Sequence, residues 1–441
     1  ATTRPTLTSG AKIYMPENLS NGQTLTLFIG EANNGLADAA DTITETNAAL
    51  QDNALIDSVA TAVTTGNGST LVTASAKSEA STATELSVTA NQARALKQAL
   101  TSAISDTTVD GTAEDAFNNA LNGIGGFNAL EDSALAKQVA PQTDLISGSS
   151  VAAQAVTGSV QGIMSNRMAS LRSGDAYFGT GVAAGGMSAQ SGFIQVFGST
   201  AEQKNTKIGT VTQSGFDSDT QGLAIGLDGV TDAGMTIGVS VATANTDMDG
   251  KGTGKSKNEI DTYSASLYMD TATENGYFEG SLTYGLSENS TSRKITSAGL
   301  NRTLTGSYDS NTISLNLGAG IPSEVGAGYL TPFGSFTATV MDIDPYTEKS
   351  TVTNDALRLK VAQDDVNSMV GTVGLKFHGE MSNGGIPMIS VAINNEFGDD
   401  TVNASNTFQN GGTAFTTTTA VEELSATLGL GYSYGTDSTS I

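Results

Sequence analysis

The chain of 441 residues has no cysteine, no tryptophan, one histidine and seven prolines. Without cysteine there is neither a disulfide framework nor a thiolate metal site. A thiol-free chain also crosses an oxidising compartment unfolded without being trapped by a bridge. The one histidine, His378, is the only candidate base for a hydrolytic triad, and its alternating surroundings VGLKFHGEM read as a lumen or rim position on a strand rather than a catalyst. A G-x-S-x-G elbow, a spaced His pair and a phosphate loop are all absent, and DMDGKG lacks the later Glu and regular Asp spacing of a calcium loop. No apolar run approaches the roughly 20 residues of a spanning helix. Basic charge is scarce: 20 Lys and Arg stand against 45 Asp and Glu, a net −25. Residues 1–173 carry 16 acidic and 8 basic side chains and residues 174–441 carry 29 and 12, so neither part offers nucleic acid a basic footprint. The expectation is a protein that is not an enzyme, with no catalytic residue, metal or cofactor. Ala1 opens no secretory signal, which reads as a processed precursor.

What is abundant is glycine, 51 residues, within ten segments that alternate apolar with small or polar side chains. They fall at 191–205, 218–231, 234–247, 259–271, 276–290, 303–320, 327–343, 357–380, 386–398 and 420–436. In QGLAIGLDG, Leu223, Ile225 and Leu227 oppose Gly222, Ala224, Gly226 and Asp228; in MTIGVSV, Met235, Ile237, Val239 and Val241 oppose Thr236, Gly238 and Ser240. A period of two puts each set on its own strand face. A soluble sandwich alternates as well. The small residues decide: Ser314, Asn316, Gly318 and Ser425, Thr427, Gly429, Gly431 cannot fill a dry core, whereas a narrow wet lumen suits them and lipid suits Ile313, Leu315, Leu317, Leu428 and Leu430. The fold class expected is mainly β, an antiparallel transmembrane barrel, because only closure satisfies every backbone polar group in hydrocarbon. Short GVTDAGM and TATENG alternate with long NTDMDGKGTGKSKNEID and ENSTSRKITSAGLNRTL, as in outer-membrane barrels. Phe193, Phe197, Tyr263, Tyr268, Tyr277, Phe278, Tyr284, Phe333, Phe336, Phe377, Tyr432 and Tyr434 read as two interfacial belts.

Upstream, residues 1–120 change from an extended opening with a turn at Asn21-Gly22 to an Ala/Thr-rich part. ANQARALKQALTSAI there is a helix with Ala93, Leu96, Leu100 and Ile104 on one face. Residues 113–138 read as helical with interruptions at Gly123, Gly125 and Gly126, closed by Pro141. Residues 121–173 read as a linker and a pore helix over 149–172, in which Val156, Val160, Ile163, Met164, Met168 and Leu171 recur at helical spacing. Its small residues, Ala152, Ala153, Ala155, Gly158, Ser159 and Gly162, thin it for a narrow lumen. Arg167 and Arg172 would lose hydration there and need wall partners such as Asp228, Asp270 or Glu279. The barrel is assigned to 174–441.

The order of helix, SNRMASLRSG, SGFIQVFGSTAEQKN and GFDSDTQGLAIGLDGVTDAGMTIGVSVATANTDMDG resembles the C-terminal translocator of bacterial autotransporters over roughly residues 127–436. Gly215, Phe216, Asp217, Asp219 and Gly222 match that family's G-[FY]-D-x-D-x-x-G hairpin opening. ALEDSALAKQVAPQTD is similar to its pre-barrel linker, and SGAKIYMPENLSNGQTLTLF to the last rungs of a parallel β-helix passenger. The resemblance implies a monomeric twelve-stranded outer-membrane barrel around a helix. It also implies type V secretion, with the N-terminal passenger secreted, anchored and displayed at the cell surface. Its partners would be outer-membrane lipid, the barrel-assembly machinery and periplasmic chaperones. Two departures stand out. About ten strands are visible, and YGTDSTSI lacks the terminal aromatic, as in a chain truncated at its C-terminus. Self-cleaving members carry an Asn-Asn pair ahead of a KRM-x-x-LR-like stretch; Arg167, Met168, Leu171 and Arg172 match the stretch, but Gly162 and Ile163 occupy the Asn positions. The alternatives are a passive-diffusion porin, which needs a lumen free of a helix, and a surface adhesin whose passenger binds a host or substrate.

Overall fold

The computed structural model describes residues 7, 9–14, 24–29, 39–51, 55–63, 69–105, 133–141, 143–173, 187–208, 211–297, 300–326, 328–352, 355–379, 385–421, 423–436 and 439–440. Ten long strands make one antiparallel meander. They are β1 (Met187–Gln203), β2 (Phe216–Thr231), β3 (Met235–Gly250), β4 (Lys257–Thr273), β5 (Gly276–Ile295), β6 (Arg302–Gly320), β7 (Gly328–Ile343), β8 (Val366–Gly379), β9 (Gly385–Glu396) and β10 (Leu424–Thr436). Each pairs with the next in sequence, and the resulting half-barrel stays open between β1 and β10 among the described residues, two strands short of the expected twelve. No described helix is long and apolar enough to cross a membrane.

The two strand faces sort as their chemistry requires. Ile225, Leu227, Val239, Val241, Leu267, Leu282, Leu315 and Val373 point outward and are exposed, while Ser240, Ser266, Thr283, Ser314, Asp228 and Asp270 are buried inside. On β5 the outward apolar row runs from Phe278 to Leu286. At about 3.4 Å per residue that is about 27 Å of strand, which tilt brings close to the roughly 25 Å band of a lipid-facing barrel. Beyond it the outward residues turn acidic. Glu288 faces Asp309 and Asp261 across the ladder, and Asp247 faces Asp219 and Glu259. A Leu315→Arg substitution is therefore expected to cost about 2–4 kcal/mol near the midplane, whereas Asn316→Arg disturbs the interior, where Asn316 donates to Thr337 at 2.8 Å. Equal effects on the two faces, read by reversible unfolding in lipid, would overturn the facing.

Several boundaries differ from the sequence reading. The two long polar segments between β3 and β4 and between β5 and β6 are mostly strand, with 251–256 and, among the described residues, 296–297 and 300–301 outside the strands. Their side chains continue the ladder in water, as where Asn245 donates to Asp261 at 3.0 Å and Lys257 meets Asp249 at 2.6 Å. The single strand expected at 357–380 is two, Leu359–Gln363 and β8, and its first part leaves the wall because Asp364 N–H donates to Asn403 at 2.9 Å. The stretch 399–419, between the strands expected at 386–398 and 420–436, contains Thr401–Phe408 and most of Phe415–Ala420, which join Leu359–Gln363 and Tyr346–Thr347 in a four-stranded sheet. The aromatic belts also need correction: Tyr263, Phe278, Tyr284, Phe336 and Phe377 are exposed, but Tyr268 and Tyr277 are buried. Phe193 and Phe197 pack inward against the helix cluster.

Among the described residues the N-terminal strands do not stack as parallel rungs: Thr24–Ile29 and Ile56–Val63 both pair antiparallel with Ser69–Ala76, and Ile13–Tyr14 makes the one parallel bridge there, to Leu50–Gln51. Helix Glu79–Leu86 starts on a Ser78 cap, and Ala90–Ser105 on a reciprocal pair in which Thr89 Oγ1 and Gln92 Oε1 each accept the other's N–H at 3.0 Å. Arg94 grips Glu79 at 2.8 and 2.9 Å and holds its carboxyl below the usual range. Ala93 and Leu96 are buried as expected, while the side chains of Leu100 and Ile104, the glycine interruptions at 123–126 and the turn at Asn21-Gly22 lie outside the described residues.

Candidate functional site: a helix in the barrel lumen

One helix, Thr143–Ser173, occupies the interior, beginning six residues before the predicted 149–172. Its 31 residues make about 46 Å at 1.5 Å per residue, enough to run from one mouth to the other. Val156, Val160, Ile163, Met164, Met168 and Leu171 are all buried. Val160, Ile163, Met164 and Met168 share a cluster with Ala224 and Tyr268 of the wall, flanked by Phe193, Phe197 and Ala242. The small residues act differently from expectation. A Cβ on Gly158 or Gly162 would meet nothing within 4 Å, so these two face space rather than a tight wall. Beside Val151 and Gln154 lies a cavity of about 270 Å³, bounded by Phe216, Ser368, Glu396 and Glu423.

Charge fixes the helix to the wall at two levels. Arg167 Nε donates to Asp228 Oδ2 at 2.7 Å and Nη2 to Oδ1 at 3.0 Å and to Ser191 at 2.6 Å, with the guanidinium 5.5 Å from the Phe193 ring. Tyr268 adds its hydroxyl to Asp228 Oδ2 at 2.9 Å. That reach depends on Gly238, which sits between Asp228 and Tyr268 in the ladder. Any Cβ there would occupy the space of the tyrosine ring, so glycine lets the ring lie across β3. One turn and a half further on, Arg172 pairs with Asp270 and, at 3.3 Å, Glu279, and stacks 3.6 Å from the centroid of the Tyr277 ring. Ser165 donates to Glu279 at 2.6 Å and Gln161 to Ser314 at 2.9 Å. Bidentate, desolvated pairs of this kind carry geometric specificity more than net stability. The sequence does not show the bonds that Tyr268, Ser191 and Ser314 make here, because these partners depend on ladder register.

The other end of the helix is held by the loops. Asp144 is buried and accepts N–H groups from Leu145 at 2.7 Å and Gly252 at 2.9 Å; burial raises its carboxyl above the usual range despite these bonds. Thr143 donates to the Ser214 carbonyl at 3.1 Å. The hairpin residues gather here. Phe216 is buried with Leu145 and Met248, Gly215 donates to Asn205 at 2.8 Å, and Asp217 pairs with Lys251 at 2.7 Å. Asp219 lies exposed on the ladder, and Gly222 lies under the Phe197 ring.

Above this mouth the preceding helix, Ser133–Val139, is locked down. Gln138 Oε1 accepts N–H from Thr296 at 2.8 Å and Ser297 at 3.0 Å, while its carbonyl accepts Arg293 at 2.6 Å. Arg293 also makes a fully buried fork with Glu348, at 2.7 and 2.9 Å, whose Oε2 takes the Leu359 N–H at 2.8 Å. His378, near the short-turn mouth, stacks on Tyr329 at 5.2 Å. No group of three or more acidic or histidine side chains among the described residues is arranged to hold a metal.

The profile of the family described as Autotransporter beta-domain matches residues 192–441, more than half of the chain. The chain belongs to that family. Autotransporter β-domains are outer-membrane β-barrels of type V secretion, and this one is a translocator. Among solved structures it is similar to the translocator domain of autotransporter NalP from Neisseria meningitidis, with 18% identity, 66% of this chain and 87% of that chain covered, and a TM-score of 0.45. It is also similar to the beta domain of the Bordetella autotransporter BrkA, with 16% identity, 56% and 99% covered, and a TM-score of 0.39. No curated protein matches.

Proposed function

We propose that this autotransporter barrel secretes, anchors and displays the chain's own N-terminal segment at the cell surface, with no catalytic chemistry of its own. The observation that carries the reading is the direction of the lumen helix. Its first turn is tied to the long-loop mouth through Ser214 and Gly252, and its last turn to Asp270 and Glu279, beside the short Thr273–Gly276 turn. The N-terminal unit and the entry to β1 therefore lie at opposite mouths, the topology left by a segment that has passed through the lumen. A diffusion porin has no use for a helix pinned at both ends. In this reading the aliphatic band contacts outer-membrane lipid, chaperones and the assembly machinery deliver the chain, and the folded protein works as a monomer.

An epitope inserted at Gly10-Ala11 is expected to bind antibody on intact cells and to vanish on external proteolysis. One inserted in the Asp232–Gly234 turn is expected to bind only after permeabilisation. The reverse pattern would refute display of the N-terminal segment.

A further inference from the structure

We propose that the four-stranded sheet built by the long loops is a docking platform for the chain's own N-terminal unit. It holds residues 24–105 on the barrel mouth by surface contact, so that they remain bound when the connection through residues 106–132 is severed. The platform comprises Tyr346–Thr347, Leu359–Gln363, Thr401–Phe408 and Phe415–Ala420, all paired antiparallel. Strands of two to eight residues form no core of their own. Leu359, Val361, Val402, Ala404, Phe408 and Phe415 are nevertheless buried, with the two phenylalanine rings 5.6 Å apart. They lie in one continuous apolar cluster with Val72, Leu86, Ala93, Leu96 and Ala99 of the N-terminal unit and Leu135 and Val139 of the linker. Removed from each other, both sides would offer this apolar surface to water.

A polar contact fixes the register of the two surfaces. Gln98 Oε1, on helix Ala90–Ser105, accepts the Thr413 N–H at 2.8 Å. The turn that presents this N–H contains Gly411 and Gly412 at φ +120° and +106°, a region that side chains rarely enter. A Cβ on Gly412 would stand 2.8 Å from Gln98 Oε1. The turn is thus shaped around the helix, and Gln409 ties it back to the Glu348 carbonyl at 2.6 Å. Covalent linkage raises the effective concentration of the two surfaces but creates none of these contacts.

The test inserts a protease recognition sequence after Gly126 in the full chain, purified in detergent. After cutting to completion, verified as two pieces on a denaturing gel, the N-terminal piece is expected to co-elute with the barrel on gel filtration and to separate in denaturant. Gly412→Val and Phe408→Ser, both in the loop-built part rather than in the ten strands of the wall, are expected to raise the released fraction several-fold while leaving the heat-modifiable migration of the barrel unchanged. Release of the wild-type piece under native conditions overturns the proposal, as does retention indifferent to both substitutions. The readout is docking in detergent, so its failure is distinct from any failure of surface display on cells.

Discussion

Replacing Arg167 by methionine is expected to destabilise the barrel by about 3–5 kcal/mol, because it leaves a charge buried without its counterion. Asp228 is 1% exposed at its side chain and Arg167 10%, so water cannot substitute for the lost guanidinium. Ser191 and Tyr268 would still donate to the carboxylate, but neutral donors do not replace a bidentate cation. The double variant Arg167→Met, Asp228→Leu is expected to regain most of the loss, since an apolar pair of similar volume avoids the desolvation cost altogether. Reversible unfolding followed by heat-modifiable migration measures both; a double variant no more stable than the single would show that the pair is not the determinant.

The second large effect concerns the other mouth. Arg293→Met strands Glu348, which is 3% exposed, and cuts the bonds to the Gln138 and Leu357 carbonyls. The cost is again about 3–5 kcal/mol, but it falls on the loop cap rather than on the ladder. Hydrogen exchange at 359–363 and 401–408 is expected to accelerate by roughly two to three orders of magnitude, with the amides of β4 and of the lipid-facing stretch 278–286 of β5 unchanged. Unaltered protection in the cap would mean that the fork with Glu348 is structurally idle.

Much of the wall was legible because lipid imposes a strict rule on one face. Ile225, Leu227 and Leu315 had to alternate with small or polar residues, and a shift of one residue would have put Ser314 and Asp228 into hydrocarbon. Arg167 and Arg172 were legible for a related reason: two cations at the end of a helix threaded into a narrow lumen require acidic walls, and Asp228, Asp270 and Glu279 were the inward acids on the neighbouring strands. What escaped was structure that pairs in water. Thr401–Phe408 and Phe415–Ala420 are rich in Thr, a good strand former, and flank Asn410-Gly411-Gly412, a turn signal. Their apolar alternation is sparse, with Val402, Ala404, Phe408 and Phe415 as its buried marks, so the segment reads as a loop. The inward turn of Phe193 and Tyr268 escaped as well, since it depends on glycines supplied by adjacent strands at a register that the chain order does not display. The start of the lumen helix at Thr143 is not legible because Gly148 weakens its first turns, and it is helical where it packs closely against Met248 at the mouth.

The most direct test of a helix within the barrel uses the absence of native cysteine. Cysteines placed at Gln161 and Ser314, whose side chains meet at 2.9 Å, are to be treated with a short bismaleimide in intact cells, alongside a control pairing Gln161→Cys with Leu315→Cys. A lumen helix gives a cross-linked band of altered mobility for the first pair and none for the second, whose residue 315 faces lipid. Cross-linking of neither pair, or of both equally, would place the helix outside the barrel.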